Sequence, residues 1–256
     1  MVNGKVAHLG DRVEARDRLA ADGRDIDIAP AQEARCILYH KPPGEVCSRN
    51  DPEGRRTVFE RLPNLKTGRW ISIGRLDFNT SGLLLFTTDG ELANALMHPS
   101  SNIEREYMVR VMGKVEMDML HRMVEGVMLE DGIARFTDIT DAGGEGINHW
   151  FYVVIMEGRN REVRRLWESQ GLTVSRLKRV RYGEVFIPSR VKQGQWAEME
   201  PAEIKSLYRM ANLPMTQLCD LAGPVTIEEV QSRLRKQLVN SLGYADHVTL
   251  IQGLEF

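Results

Sequence analysis

The chain has 256 residues, 42% of them apolar and 27% charged, with a formal net charge of −2 at pH 7. That length buries one good core with room for a small appendage, and no apolar run approaches the roughly 20 residues a membrane helix needs. Cys36, Cys47 and Cys219 are odd in number and widely spaced, the six histidines show no paired ligand spacing, and residues 1–10 lack the apolar stretch of a secretion signal. The expectation is therefore a cytoplasmic protein with reduced thiols, no disulfide framework, no metal and no membrane span.

Residues 1–30 read as a small polar piece with few strand signals, and Pro30 to Glu33 as a linker. Cys36 to His40 reads as a strand. Two further β-prone runs, Trp70 to Ile73 and Leu83 to Phe86, flank the loop Gly74-Arg75-Leu76-Asp77-Phe78-Asn79-Thr80-Ser81-Gly82. Glu91 to Met97 reads as a helix capped by Asp89 and stopped before Pro99. Tyr107 to Val111 alternates like a strand, and Met117 to Val124 has helical spacing. Phe151 to Met156 is a strong strand. Arg161 to Gln170 is a helix ended by Gly171, with Val163, Leu166 and Trp167 as its apolar stripe. Val174 to Tyr182 and Trp196 to Met199 read as strands, Pro201 to Ala211 as a helix, and a basic amphipathic helix follows over residues 226–239. This order predicts an α+β fold around a mixed, largely antiparallel sheet with flanking helices.

Charge is unevenly spread. Between Arg159 and Lys192 there are ten basic residues against three acidic ones, while acidic residues gather from Glu116 to Asp141. A basic face on a near-neutral protein is a footprint for a polyanion; a solvated face balanced by unrelated carboxylates is the plainer reading.

The loop around Asp77 holds one carboxylate between two glycines on a strand–loop–strand frame, a common way to present a reactive group. An Asp so placed also commonly caps a turn. Four segments together resemble the ribosomal RNA pseudouridine synthases. They are Lys41-Pro42-Pro43-Gly44 with Asp51-Pro52-Glu53-Gly54-Arg55; Gly74 to Asp77 followed by Thr80 to Leu85; Glu104-Arg105-Glu106-Tyr107; and Glu157 to Leu166. The wording Asn160-Arg161-Glu162-Val163-Arg164-Arg165, with Trp167 after it, is most similar to members acting on the large subunit.

The resemblance spans about residues 35–210, the expected catalytic domain, and implies the pseudouridine synthase fold. It makes residues 1–30 the second half of an αL RNA-binding module. Met1 falls where relatives are in mid-module, so either the true start lies upstream or the module's helices are lost. Residues 213–256 fall outside the resemblance as an extension with no assigned role.

The implied activity is isomerisation of a uridine to pseudouridine in rRNA, expected in 23S rRNA, a reaction that needs no cofactor; a monomer is the default expectation, since the sequence carries no sign of oligomeric state. Asp77 is then the catalytic carboxylate, and Arg164 the cation that orients it and keeps it charged. Tyr107 stacks on an extruded uracil, against a pocket wall at Leu166. Arg75, Arg161, Arg165, Arg176, Lys178, Arg179 and Arg181 are expected RNA contacts, Arg75 as a wedge or phosphate grip. Three alternatives stay open: a synthase acting on 16S rRNA or transfer RNA, a non-catalytic ribosome-assembly factor, and a glycosidase pairing Asp77 with a second acid such as Asp89.

Overall fold

A computed structural model describes residues 34–214, Gly4, and the backbone of two short strands, β1 (Leu19–Ala21) and β2 (Arg24–Ile26). These two strands pair antiparallel, with Leu19 opposite Ile26, in the piece expected to be poor in strands. Asp22-Gly23 between them is the dipeptide best suited to a two-residue hairpin connection. The remainder of the expected αL module and the helix expected over residues 226–239 lie outside the described residues.

The main sheet is built from β3 (Cys36–Lys41), β4 (Ile71–Ile73), β5 (Ser81–Thr87), β6 (Arg105–Met112), β9 (Asp138–Glu145), β10 (Asn148–Ile155), β11 (Thr173–Tyr182), β12 (Val185–Phe186) and β13 (Trp196–Glu198). Its order is β13-β3-β5-β11-β6-β10-β9, with β4 added to β5 and β12 to β11. A small separate hairpin joins β7 (Val127–Leu129) to β8 (Gly132–Ala134). The helices are α1 (Gly90–Met97), α2 (Met117–Glu125), α3 (Glu162–Glu168) and α4 (Pro201–Met210). Among the described strands every pairing is antiparallel except β11 against β5.

That exception makes the sheet fork. β3 runs the length of one edge of β5, from Cys36 opposite Thr87 to Lys41 opposite Gly82. On the other edge β4 takes the C-terminal part, Ile73 opposite Leu85, and β11 takes the N-terminal end, Arg179 opposite Gly82. The loop that carries Asp77 joins β4 to β5 and so emerges in the fork. Gly82 lies at the join with φ +111°, and a Cβ there would lie 2.1 Å from the Arg179 carbonyl oxygen. Only glycine lets the two backbones approach this closely.

Strand alternation puts one core on each face. On one face Tyr39, Leu84 and Phe86 join Tyr107, Val109, Phe151 and Val153, covered by Val163, Leu166 and Trp167 of α3. On the other, Leu38, Leu83 and Leu85 pack against Leu92 and Leu96 of α1 and Leu207 of α4. Asp89 caps α1 as expected, its carboxylate accepting the backbone N–H of Glu91 at 2.8 Å and of Leu92 at 3.2 Å.

The strand β9 has no counterpart in the sequence reading. Its residues, Asp-Ile-Thr-Asp-Ala-Gly-Gly-Glu, are poor strand formers, and its order comes from pairing along β10. Helix α3 is also shorter than its apolar stripe suggests. Arg161 adopts the left-handed conformation at its N-cap (φ 49°), which starts the helix at Glu162.

Candidate active site

One row of residues crosses the sheet at the fork: Lys41 on β3, Gly82 on β5, Arg179 on β11, Tyr107 on β6 and Val153 on β10. At about 4.8 Å per strand, Tyr107 stands about 10 Å from Gly82. Asp77 is five residues before Gly82, half-buried, in the loop above that row. Tyr107 and Leu166 are buried in the core on the same face. The fork thus gathers Asp77, Tyr107, Arg164 and Leu166, which come from three separate stretches of chain, the last two from α3.

The Asp77 loop is held from below and from the side. The Lys41 ammonium, fully buried, donates to the carbonyls of Thr80 (2.9 Å), Pro42 (3.0 Å), Asp77 (3.1 Å) and Phe78 (3.3 Å). Burial holds the Lys41 pKa below the usual lysine value, opposed by the nearby Cys47, Glu45 and Asp77. The loop closes on itself through Thr80 N–H to the Asp77 carbonyl at 3.0 Å, and the Gly44 N–H donates to Phe78 at 2.9 Å. Residues 44–47 are fixed in turn, because Glu45 is buried and receives the Tyr39 hydroxyl at 2.6 Å and Arg61 Nε at 2.8 Å.

Arg164 holds the loop from the side. Its guanidinium donates to the Val174 carbonyl at 3.0 Å and to the Asn79 carbonyl at 3.2 Å, bridging β11 and the loop. Among the described residues no ion pair within 4.0 Å links it to Asp77, so the carboxylate contact expected from the motif is replaced by a backbone brace. Burial lowers the Arg164 pKa, aided by Arg161, while Asp77 and Glu168 oppose the fall. Asp77 is thus near enough for its charge to be felt.

The expected RNA contacts divide. Arg179 is a correction: it is only 2% exposed, and its Nε donates to the Leu83 carbonyl at 2.7 Å inside the sheet. Two residues after buried Leu177 and in unbroken register with it, Arg179 falls on the core side of β11 by strand alternation, which a cluster of basic residues does not reveal. Arg181 is tied to Glu106 at 2.6 Å and Glu104 at 2.8 Å, and Arg165 makes a two-pronged contact with Asp131, both arms at 2.8 Å. Arg161 meets Glu168 at 3.3 Å. Much of the apparent positive charge of Arg159 to Lys192 is therefore balanced by carboxylates from other elements. Arg75 and Arg176 are exposed and Lys178 is half-exposed. Beside Arg75, Phe78 is 40% exposed with the Arg55 guanidinium 5.6 Å from its ring centroid.

Sequence reasoning named Lys41 in a motif without giving it a task, and passed over Phe78. A lysine closing an otherwise apolar strand is the signal that could have found the first, since a buried ammonium needs a ring of acceptors. Asp89 lies at the far end of β5 from Asp77. Seven residues of strand separate them by about 20 Å, well beyond the roughly 5–9.5 Å that paired glycosidase carboxylates require.

Comparisons with known proteins agree with this geometry. Residues 35–169 match the model of the RNA pseudouridylate synthase family. The ribosomal large subunit pseudouridine synthase B of Pseudomonas aeruginosa is 56% identical over 239 residues, which is 92% of this chain and 62% of that protein. That of Vibrio cholerae is 59% identical over 242 residues, 93% of this chain and 75% of that protein. The chain therefore spans 62% and 75% of the length of these two relatives, less than two thirds of the first. A solved structure described as a pseudouridylate synthase superposes with a TM-score of 0.61 at 25% identity, over 81% of this chain and 87% of that one. With the forked sheet, the loop in the fork and the family match all in agreement, the chain belongs to the RNA pseudouridylate synthases.

Proposed function

We propose that this chain isomerises a uridine of large-subunit ribosomal RNA to pseudouridine, with Asp77 as the acting carboxylate. The observation that carries the reading is the braced loop in the sheet fork, where Lys41 and Arg164 spend their charge holding Asp77 rather than solvent. The large-subunit substrate rests on relatives above 50% identity that carry that name. The protein acts as a monomer in the cytoplasm, where ribosomes are built.

The reaction breaks the uridine N1–C1′ bond and forms C5–C1′. The C5 proton leaves and N1 takes one up, so composition and oxidation state are unchanged. A preorganised carboxylate beside C1′ in a site shielded from water suits this chemistry. Tyr107, buried on the core face, offers a ring for an extruded uracil, with Leu166 behind it. Arg75 and Phe78, exposed beside Asp77, face the RNA around the flipped nucleotide.

The test is product analysis. After incubation with a large-subunit rRNA transcript, pseudouridine should appear at one position with no free uracil. Free uracil in place of pseudouridine would convict the protein as a glycosidase, and unchanged RNA would leave a binding protein.

A further inference from the structure

Beside the catalytic row, on the opposite face of the sheet, run two further cross-strand rows. One is Lys178, Met108, Tyr152 and Thr140; the other is Arg176, Arg110 and Trp150. Tyr107 points into the core, so its neighbours Met108 and Arg110 point outward with these partners. Helices α1 and α4 cover the β3–β5 half of this face and the Tyr182 end of β11, and leave the Arg176–Lys178 stretch of β11 outside that core. Over β11, β6 and β10 the side chains stay accessible, Tyr152 at 37% and Met112, at the end of β6, at 42%.

The composition of these two rows differs from the rest of the surface. Three cations stand there with no carboxylate between them, whereas Arg159, Arg161, Arg165 and Arg181 are each matched by an acidic partner. Arg110 lies 5.8 Å from the Trp150 ring centroid and donates to Ser175 Oγ at 2.9 Å, which fixes it beside the aromatic ring. Flat aromatic rings on a sheet, interleaved with fixed cations, match stacked bases and their phosphates.

Resting on the functional reading above, we infer that this face is a second RNA-contact surface, separate from the catalytic cleft, that takes a single-stranded segment flanking the modified stem-loop. Tyr152 and Trp150 form the stacking platform; Arg110, Arg176 and Lys178 meet the phosphates. The surface adds affinity for substrates that carry the flank and leaves chemistry at Asp77 untouched.

The experiment compares wild type, Tyr152→Glu and Tyr152→Phe in the full chain. The probes are a minimal large-subunit stem-loop and the same stem-loop with a ten-nucleotide single-stranded extension on either side. One stacked base is worth about 1–3 kcal/mol, so Tyr152→Glu should weaken binding of an extended RNA roughly tenfold or more. Binding and single-turnover rate on the minimal stem-loop should stay unchanged, and Tyr152→Phe, which keeps the ring, should behave as wild type. If wild type isomerises the stem-loop while Tyr152→Glu binds both RNAs as tightly as wild type, the surface is refuted and the functional reading stands. Equal losses on both RNAs would also refute it, placing Tyr152 in the main interface or the fold. A wild type that neither binds nor isomerises would overturn the functional reading and this inference with it.

Discussion

Lys41 shows how a single residue organises the site. One ammonium takes the carbonyls of Thr80, Asp77, Phe78 and Pro42, and so fixes the backbone on both sides of the Asp77 carboxylate. Lys41→Met removes the donor and keeps the bulk of the side chain. A misplacement of about 1 Å at a reacting group costs on the order of 100-fold in rate. Turnover should therefore fall about that much under single-turnover conditions, with RNA affinity within a few-fold of wild type; a variant with wild-type turnover would show that the loop holds its shape without the brace. At this scale Asp77, Tyr107 and Arg164 draw notice in the sequence because each stands in a motif, and their catalytic roles are those proposed above. The task of Arg164 was not, since a motif gives a residue's position and not which carbonyls it meets. Arg179 was misplaced because it was read from the clustering of charge, which does not say which face of β11 a cation takes.

Among the elements, the strands of the site were legible from their β-prone runs, and α1 from its cap. The edge strand β9 was not, because its acidic, glycine-rich sequence owes its order to β10. Nor was the parallel pairing of β5 with β11, which creates the fork and joins residues 96 or more positions apart in the chain. The helix cap separates two readings of Asp89. Asp89→Ala should cost about 1 kcal/mol of stability, seen as a lower melting temperature, and leave turnover on RNA unchanged; a loss of turnover at full stability would restore Asp89 as a second acid.

The anchor between β3 and the segment before β13 adds a pH dependence. His40 is buried, with Nδ1 donating to the Val191 carbonyl at 2.8 Å. Burial lowers its pKa below 6.5, Lys178 lowers it further, and the bond to Val191 opposes the shift. The unfolded chain then binds a proton more readily than the folded one. The stabilisation is complete above about pH 6.5 and is lost as pH falls through the depressed folded value. Urea unfolding between pH 5 and 7.5 should show this slope in wild type and a shallower one in His40→Gln; equal slopes would remove His40 as its source.

Across the whole molecule, two sheet halves meet over a contact of two residue pairs, Ser81 with Lys178 and Gly82 with Arg179, and the reactive loop sits in the gap they leave. Each half supplies part of the site: Asp77 from one, Tyr107, Arg164 and Leu166 from the other. No described helix is long and apolar enough to cross a membrane. Net charge near zero conceals the division between cations spent on internal carboxylates and those left on the open sheet face. That division depends on which elements the fold brings together, so composition does not disclose it.

The central claim is that Asp77 drives exchange at uridine C5. It is tested most directly by tritium release from a large-subunit rRNA transcript labelled at uridine C5, comparing wild type with Asp77→Asn. Release by wild type, none by Asp77→Asn, and RNA affinities within a few-fold of each other are the predicted results. Near-normal release by Asp77→Asn would contradict the account.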